Sequence, residues 1–507
     1  MITNENTTWE KSFSEVVDLR NEKLPPVWTS TYKKLERRDE RGHEVHESGR
    51  KRVAASAVIS ILRQATEKVI VSTFLLADKD IEDELLMTAR RGVRVYAILA
   101  SEARLGKEEG DGEFDQKVLE SHKQMLNRLG GYLLLRSAPH FHAKVVIVDP
   151  ETSPAGILLT ANLTTEALER NEELAIVLTS QEAVEATKYL KWALWESAEH
   201  EFIDPKDRFK AVKPLGKVPH PDASTALVAT TRQTTAIRDE ALRIINKARS
   251  RIVVSSFGWD AEHEVVQRLA ARARDGIDVT VLARVRPSSM PALLELAQAG
   301  AKVVGFKWLH AKAIWTDAKQ AMVMSANLQA DGLDHGFELG VRLSDGRADE
   351  MLGRLTQWAE GAEWRLIAAP TLGRVSGKVM LWHGKKLIDG EISQSDEVDL
   401  GHVTASSAHE LIVPRPKLPS TGALPRLTHE LHCTWTVGAP RLSVKAKELR
   451  RPAKDKEDPV SYVPPVFQEP GKGLVVAVRT LNDLKPARAL MSELNATAIV
   501  LAKARAQ

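Results

Sequence analysis

The 507-residue chain has one cysteine, Cys433, so it can form no internal disulfide, and a reducing compartment is expected. It has no run approaching the ~18 consecutive apolar residues that a membrane-spanning helix needs, so no stable membrane insertion is expected. The first residues, Met1, Ile2, Thr3, Asn4, Glu5 and Asn6, lack the basic start and apolar core of a secretory signal. Nor does one charge dominate: 71 Lys and Arg against 68 Asp and Glu leave a net charge of +3. A polyanionic partner would therefore have to be met by a local basic patch. What is present is an ordinary globular balance, 43% hydrophobic and 27% charged, in a chain long enough for roughly three domains. The expectation is a soluble, cytoplasmic protein.

The most informative feature is an internal repeat. Val69-Ile70-Val71-Ser72-Thr73-Phe74 reappears as Ile252-Val253-Val254-Ser255-Ser256-Phe257, each β-branched run following a helical stretch (Ala57 to Glu67, Ile237 to Arg249). A second helical pattern then runs to Arg91-Gly92-Val93 in one copy and Asp275-Gly276-Ile277 in the other, each Gly suited to cap a helix before the next strand. The copies converge again on His142-Ala143-Lys144 and His310-Ala311-Lys312. Each closes on a pattern read as a Trp-bearing helix, with Trp192 and Trp195 in the first and Trp358 and Trp364 in the second; these rings read as packing. Alternating strands and helices indicate two α/β units. The first copy carries an acidic insertion near Ser101 to Ser121, read as a surface loop. Beyond about residue 370, strand-like stretches such as Gly377 to Leu387 and His429 to Val437 give a different texture, with a charged segment from Lys445 to Asp458.

Five polar residue types recur in register. His142 and Lys144 are followed five positions on by Asp149, and His310 and Lys312 by Asp317 with the same spacing. Thr160-Ala161-Asn162 answers Ser325-Ala326-Asn327, and Glu173 and Glu338 each lie eleven residues past the Asn. Read as strands, these segments point each His and the Lys two residues on to one face. Burying such a Lys among residues like Val145, Val146 and Ile147 is costly without an anion, and a bound phosphate would supply one. A Glu on the far ring nitrogen of each His would fix its tautomer and favour its charged form. His140, two residues before His142, is a lesser candidate for substrate contact. His402, His409, His429 and His432 lack the companions of a convincing metal site.

The doubled His-x-Lys-x-x-x-x-Asp element, with its downstream Asn and Glu, resembles the phospholipase D superfamily over most of residues 53 to 366. The resemblance implies two tandem α-β-α sandwich units related by a pseudo-two-fold axis, followed by a smaller β-rich C-terminal domain. The bounds read from the sequence are a charged N-terminal extension at 1–52, repeat 1 at 53–202, a connector at 203–235, repeat 2 at 236–368 and the C-terminal domain at 369–507. The resemblance also implies two-step phosphodiester exchange through a phosphohistidine, with no metal or other cofactor. His142 and His310 would serve as nucleophile and general acid, with a lean towards His142 as the nucleophile. Lys144, Lys312, Asn162 and Asn327 would bind phosphate, and Glu173 and Glu338 would orient the histidines. Asp149, Asp317, Thr160 and Ser325 would support them.

The departures concern substrate class. Many lipid-acting members have Gly just before the Ser of the downstream element, where this chain has Leu159 and Met324. The Thr-Ala-Asn-Leu and Ser-Ala-Asn-Leu elements resemble those of bacterial nuclease-like members, some associated with helicases and phage defence. The leading expectation is therefore a metal-independent nuclease acting on DNA before RNA, with a helicase or translocase as a possible partner protein. Such an enzyme should show basic residues such as Arg136, Arg284, Arg286 and Lys307 around the histidine pair. A phospholipase or phosphatidyltransferase, which should show an apolar rim instead, is the alternative. A third reading is a phosphate-binding module without turnover.

Overall fold

The computed structural model describes residues 25–31, 43–100, 116–203 and 209–371, together with the strand Val16–Asp18 and segments, chiefly strands, between 374 and 501. It divides into two compact units, one spanning Thr31–Leu366 and the other formed by Met1–Ser30 with Ile367–Gln507.

The first of these contains both copies of the repeat, each built on a mixed sheet. In copy one the strand order is Phe209–Ala211, His200–Phe202, Leu134–Ala138, Arg94–Ala100, Lys68–Ser72, Val145–Val148, Ala155–Leu159, Leu174–Leu178 and Val45–Glu47. Copy two follows the same plan. Trp364–Ile367 flanks Lys302–Phe306, then come Asp278–Arg284, Arg251–Ser256, Ala313–Thr316, Gln320–Met324, Glu338–Ser344 and Leu227–Thr231. In each, a parallel trio continues into antiparallel strands. Helices Val53–Gln64 and Ala236–Lys247 precede the first strand of their trios, matching the sequence periodicity. Gly92 and Gly276 end the next helices at φ +91° and +87°, a left-handed conformation that costs glycine little.

The central strands are apolar on both faces because both faces are covered. Along Lys68–Ser72, Val69 and Val71 face the core formed with helices Val53–Gln64 and Lys79–Arg90, whereas Ile70 faces a core shared by the two copies. Val145 and Ile147 point into that shared core, and Val146 and Val148 point away from it. The shared core also takes in the buried sides of helices Ser180–Trp192 and Asp345–Glu360. Thr179 and Glu182 form a capping box on the first of these helices, and Glu182 also receives Arg347 from the second copy at 2.7 Å. Glu47, 3% exposed, accepts Arg354 Nη1 at 2.9 Å and Trp358 Nε1 at 3.3 Å, so an ion pair too is buried between the copies.

Three details depart from the sequence reading. The sheets take in Val45–Glu47 and Leu227–Thr231, strands that fall in the stretches read as extension and connector. Trp364 lies in a strand, not in the closing helix; Trp192 and Trp358 are buried on helices. His142 to Lys144 and His310 to Lys312 are not strand residues but the irregular leads into strands Val145–Val148 and Ala313–Thr316.

In the second unit, Val27–Ser30 pairs with Gly377–His383, which forms a hairpin with Lys386–Ile392. Further strands include His429–Thr436, which contains Cys433, paired with Ala439–Ala446. The acidic insertion at 101–115 and most of the charged segment after Ala446 lie outside the described residues.

Candidate active site

The two His-x-Lys leads are held by the opposite copy. The amides of His142 and Ala143 donate to the Phe337 carbonyl at 3.0 and 2.9 Å, and those of His310 and Ala311 donate to the Glu172 carbonyl at 3.0 and 2.8 Å. Phe337 and Glu172 each donate back, to the carbonyls of His140 at 2.7 Å and Trp308 at 3.2 Å. This exchange is reciprocal, as a two-fold relation between the copies requires. His140 adopts a left-handed backbone, φ 58°, to make its half of it.

The carboxylates therefore cross over. His142 Nδ1 lies 2.8 Å from Glu338 Oε1, and His310 Nδ1 lies 2.7 Å from Glu173 Oε1. Because a carboxylate only accepts, the His142 Nδ1 hydrogen-bonded to Glu338 carries the proton and leaves an Nε2 lone pair available for attack. The second carboxylate oxygens are held by the predicted hydroxyls. Thr160 Oγ1 donates to Glu173 Oε2 at 2.6 Å, and Ser325 Oγ donates to Glu338 Oε2.

Lys144 and Lys312 are 0% exposed, and their ammonium groups donate to the carbonyls of His142 at 2.6 Å and His310 at 2.7 Å. Lys312 Nζ also lies 3.2 Å from His310 Nε2. Asn162 and Asn327 each leave Oδ1 buried without a hydrogen-bond partner. An amide oxygen and nitrogen can exchange places, so both side chains can turn an N–H towards an anion. Unmet amide capacity beside two buried cations suits a tetrahedral oxyanion.

Each Glu favours the charged form of its histidine, as expected, but burial and the lysines outweigh it. Burial pushes His142 down to about 4; Glu338 opposes this, but Lys144 and Lys312 add to it. Burial likewise pushes His310 down to about 3 against Glu173, with Lys312 and Lys144 lowering it further. Each imidazole thus feels the lysines of both copies, which together with burial favours the neutral ring at pH 7. Burial acts to raise Glu173 and Glu338, yet both stay below the usual carboxylate range because the histidines, lysines and hydroxyls outweigh it.

Asp149 and Asp317 stand apart from this chemistry. Asp149 accepts the amides of Thr66, Glu67 and Lys68 at 2.7 to 2.9 Å and the Thr66 hydroxyl at 2.8 Å. Asp317 does the same for Arg249 and Ser250. Each ties the end of the strand beyond its His-x-Lys lead to the loop that follows the copy's first helix.

The recurring Ser-Thr-Phe and Ser-Ser-Phe triplets are site residues that the sequence reading missed, although the repeat displayed them. Ser72 Oγ accepts the Val145 amide at 3.0 Å, and Ser255 Oγ donates to the Ala311 carbonyl at 2.9 Å, anchoring each lead. Thr73 and Ser256 hydroxyls accept the amides of Leu163 and Leu328, both at 3.2 Å, which fixes the residue after each Asn. Phe74 meets the His142 ring edge-on at 5.3 Å, and Phe257 lies 4.9 Å from the His310 ring.

The basic residues divide. Arg136 is turned onto Trp195, 4.2 Å from its ring, and pairs with Glu201 at 2.7 Å, so its role is packing. Arg286 and Arg284 stand 4.3 and 5.1 Å from the Phe257 ring. Arg170, Lys307 and Arg284 stand 4.0, 5.1 and 5.2 Å from the Trp308 ring.

Among the described residues, no cluster of three or more His, Cys, Asp or Glu could hold a metal ion, and no helix is long and apolar enough to cross a membrane. Residues 58–195 and 241–361 match the family model described as "Cardiolipin synthase, PLD-like domain". The chain belongs to the phospholipase D superfamily. Its paired units form a phosphodiesterase-like domain of that superfamily. No curated protein matches it in sequence. Similar solved structures include a polyphosphate kinase from Porphyromonas gingivalis, 12% identical with a TM-score of 0.42, over 62% of this chain and 49% of that one. The chain thus spans about half of that kinase's length. Phosphatidylserine synthase from Haemophilus influenzae is 10% identical with a TM-score of 0.46, over 68% of this chain and 90% of that one. The phospholipase D family member Nuc from Salmonella typhimurium is 18% identical with a TM-score of 0.24, over 33% of this chain and 97% of that one.

Proposed function

We propose that the chain is a nuclease that hydrolyses phosphodiester bonds in DNA, with RNA as the lesser substrate. One observation carries the choice of a polyanion: the guanidinium and ammonium groups gathered over Phe257 and Trp308 beside His310. Planar cations on aromatic rings suit a strand that offers phosphates and base faces together.

The chemistry needs only residues of the site. The His142 Nε2 lone pair attacks phosphorus, the bond to the departing oxygen breaks, and His310 gives that oxygen a proton. His310 then takes a proton from water as the water oxygen attacks phosphorus. The N–P bond breaks and its electron pair returns to His142. Lys144, Lys312, Asn162 and Asn327 hold the non-bridging oxygens throughout. Glu338 and Glu173 stabilise whichever imidazole is charged. An anion in the cage offsets the two lysines, so the proton that His310 must donate is taken up with the substrate.

The description of the matched family favours a second reading, transfer or hydrolysis at phospholipid headgroups by the same steps. The test is to incubate the purified chain with excess chelator and labelled single-stranded DNA, duplex DNA, RNA or phospholipid vesicles, beside His142→Ala and His310→Ala. Chelator-resistant cleavage of nucleic acid, lost in both variants, supports the nuclease. Turnover of vesicles alone overturns it in favour of the second reading.

A further inference from the structure

The two copies agree in the catalytic set but not beside it. Trp308 occupies the position of His140, and Lys307 that of Pro139. Strand pairing aligns Ser72 with Ile98 and Ser255 with Leu282, which makes Arg284 the counterpart of Ala100. Arg170, three residues before Glu173, answers to His335. A line of permanent cations and rings therefore flanks His310, where the corresponding positions beside His142 carry Ala100, Pro139, His140 and His335.

Resting on the nuclease reading, we infer that Arg170, Arg284, Arg286 and Lys307, seated on Trp308 and Phe257, form a subsite for a second phosphate on the His310 side of the scissile bond, with no counterpart beside His142 among the described residues. The Phe257 ring lies 4.9 Å from the His310 ring, and the Arg286 guanidinium 4.3 Å beyond that ring's centre. The span from imidazole to cation is at most the sum of the two, on the scale that separates successive phosphates of one strand. Arg170 and Lys307 are exposed, and Trp308 is half-buried between the exposed rim and the His310 backbone. Guanidinium groups held over rings are pre-oriented, so a phosphate arriving there orders less side chain on binding. The subsite fixes which way round the strand lies: one flanking phosphate is held and the other is not.

The test compares three thymidine dinucleotides that share one phosphodiester: one with no terminal phosphate, one with a 5′ phosphate and one with a 3′ phosphate. A charge-assisted contact should raise kcat/KM of only one phosphorylated form, about tenfold over the unphosphorylated dinucleotide. In Arg170→Ala and Arg286→Ala that ratio should fall towards one. Equal kcat/KM for all three substrates on the unaltered chain, or an equal gain at both ends, overturns the subsite whatever the variants do. If bis(p-nitrophenyl) phosphate is turned over but no dinucleotide is, the nuclease reading itself fails and the subsite falls with it.

Discussion

Glu338→Gln is the most searching perturbation of the crossed dyads. It keeps the size of the side chain and leaves an oxygen to meet His142 Nδ1, now 2.8 Å from Glu338 Oε1, but removes the negative charge. A hydrogen bond to a charged partner contributes roughly 1.5–3 kcal/mol, and each 1.36 kcal/mol is a factor of ten in rate, so kcat should fall about 10- to 100-fold. The pH profile gives a second, signed outcome. His142, at about 4 with Glu338 raising it, must titrate lower once that carboxylate is gone. If His142 is the nucleophile, it must be neutral in the free enzyme. The acidic limb of kcat/KM then moves to lower pH in Glu338→Gln. Turnover of bis(p-nitrophenyl) phosphate across pH 3.5–8, with a thermal melt to confirm folding, reads both quantities. A folded Glu338→Gln variant within threefold of the parent kcat, or an acidic limb displaced upward, would refute the assignment of Glu338 to His142.

Other outcomes follow from the same geometry. Asp149→Asn replaces an acceptor of three backbone amides with a group that is half donor, and should cost about 1.5–3 kcal/mol in urea denaturation while kcat stays within twofold. Because Asp149 is held below its ordinary value in the folded state, its contribution is present above the unfolded value and lost as pH falls through the folded one. The stability difference between parent and variant should therefore shrink in strong acid. Gly332→Ala would set a Cβ 2.8 Å from both the amide nitrogen and the carbonyl oxygen of Asn327, so the Asn loop must move; inorganic phosphate should bind at least about tenfold more weakly by calorimetry. Arg354→Met leaves Glu47 buried without its cation and should destabilise the chain by about 3–5 kcal/mol, measured by denaturant midpoint. Finally, inorganic phosphate binding at pH 6 should take up protons, visible as a binding enthalpy that changes with the ionisation enthalpy of the buffer; no such change would contradict histidines that are neutral before the anion binds.

Much of this arrangement was legible because chemistry and fold repeat together. The β-branched runs, the glycine stops and the register of His, Lys, Asn and Glu all reflect local constraints: period-two burial, left-handed backbone and fixed strand lengths. The crossing of Glu173 to His310 and Glu338 to His142 was not legible, because it depends on how two sheets meet, and no spacing within a copy records that. Val45–Glu47 and Leu227–Thr231 hid for a related reason. They are short strands, Val45–Glu47 at a sheet edge and Leu227–Thr231 next to one, and each joins its sheet through a strand more than 100 residues away in the chain. Trp364 misled because an aromatic near a helix end suits either a last turn or a first strand residue. The strand reading of His142 to Lys144 failed because the amides of His142 and Ala143 bond to the opposite copy, and only at the Lys144 carbonyl, which accepts the Leu159 amide, does the chain rejoin its own sheet. Arg136 counted as a rim cation until its Trp195 and Glu201 partners became visible.

The reciprocal bonding of the His-x-Lys leads has a kinetic corollary. Each imidazole keeps its backbone anchor and its carboxylate on the far copy, so parting the copies would dismantle both dyads in one event. Opening the copies to admit substrate would cost both histidines these partners at once. Entry over the rim residues leaves those bonds in place, so changes at Arg170, Arg286 or Lys307 can alter what enters without disturbing the machinery beneath.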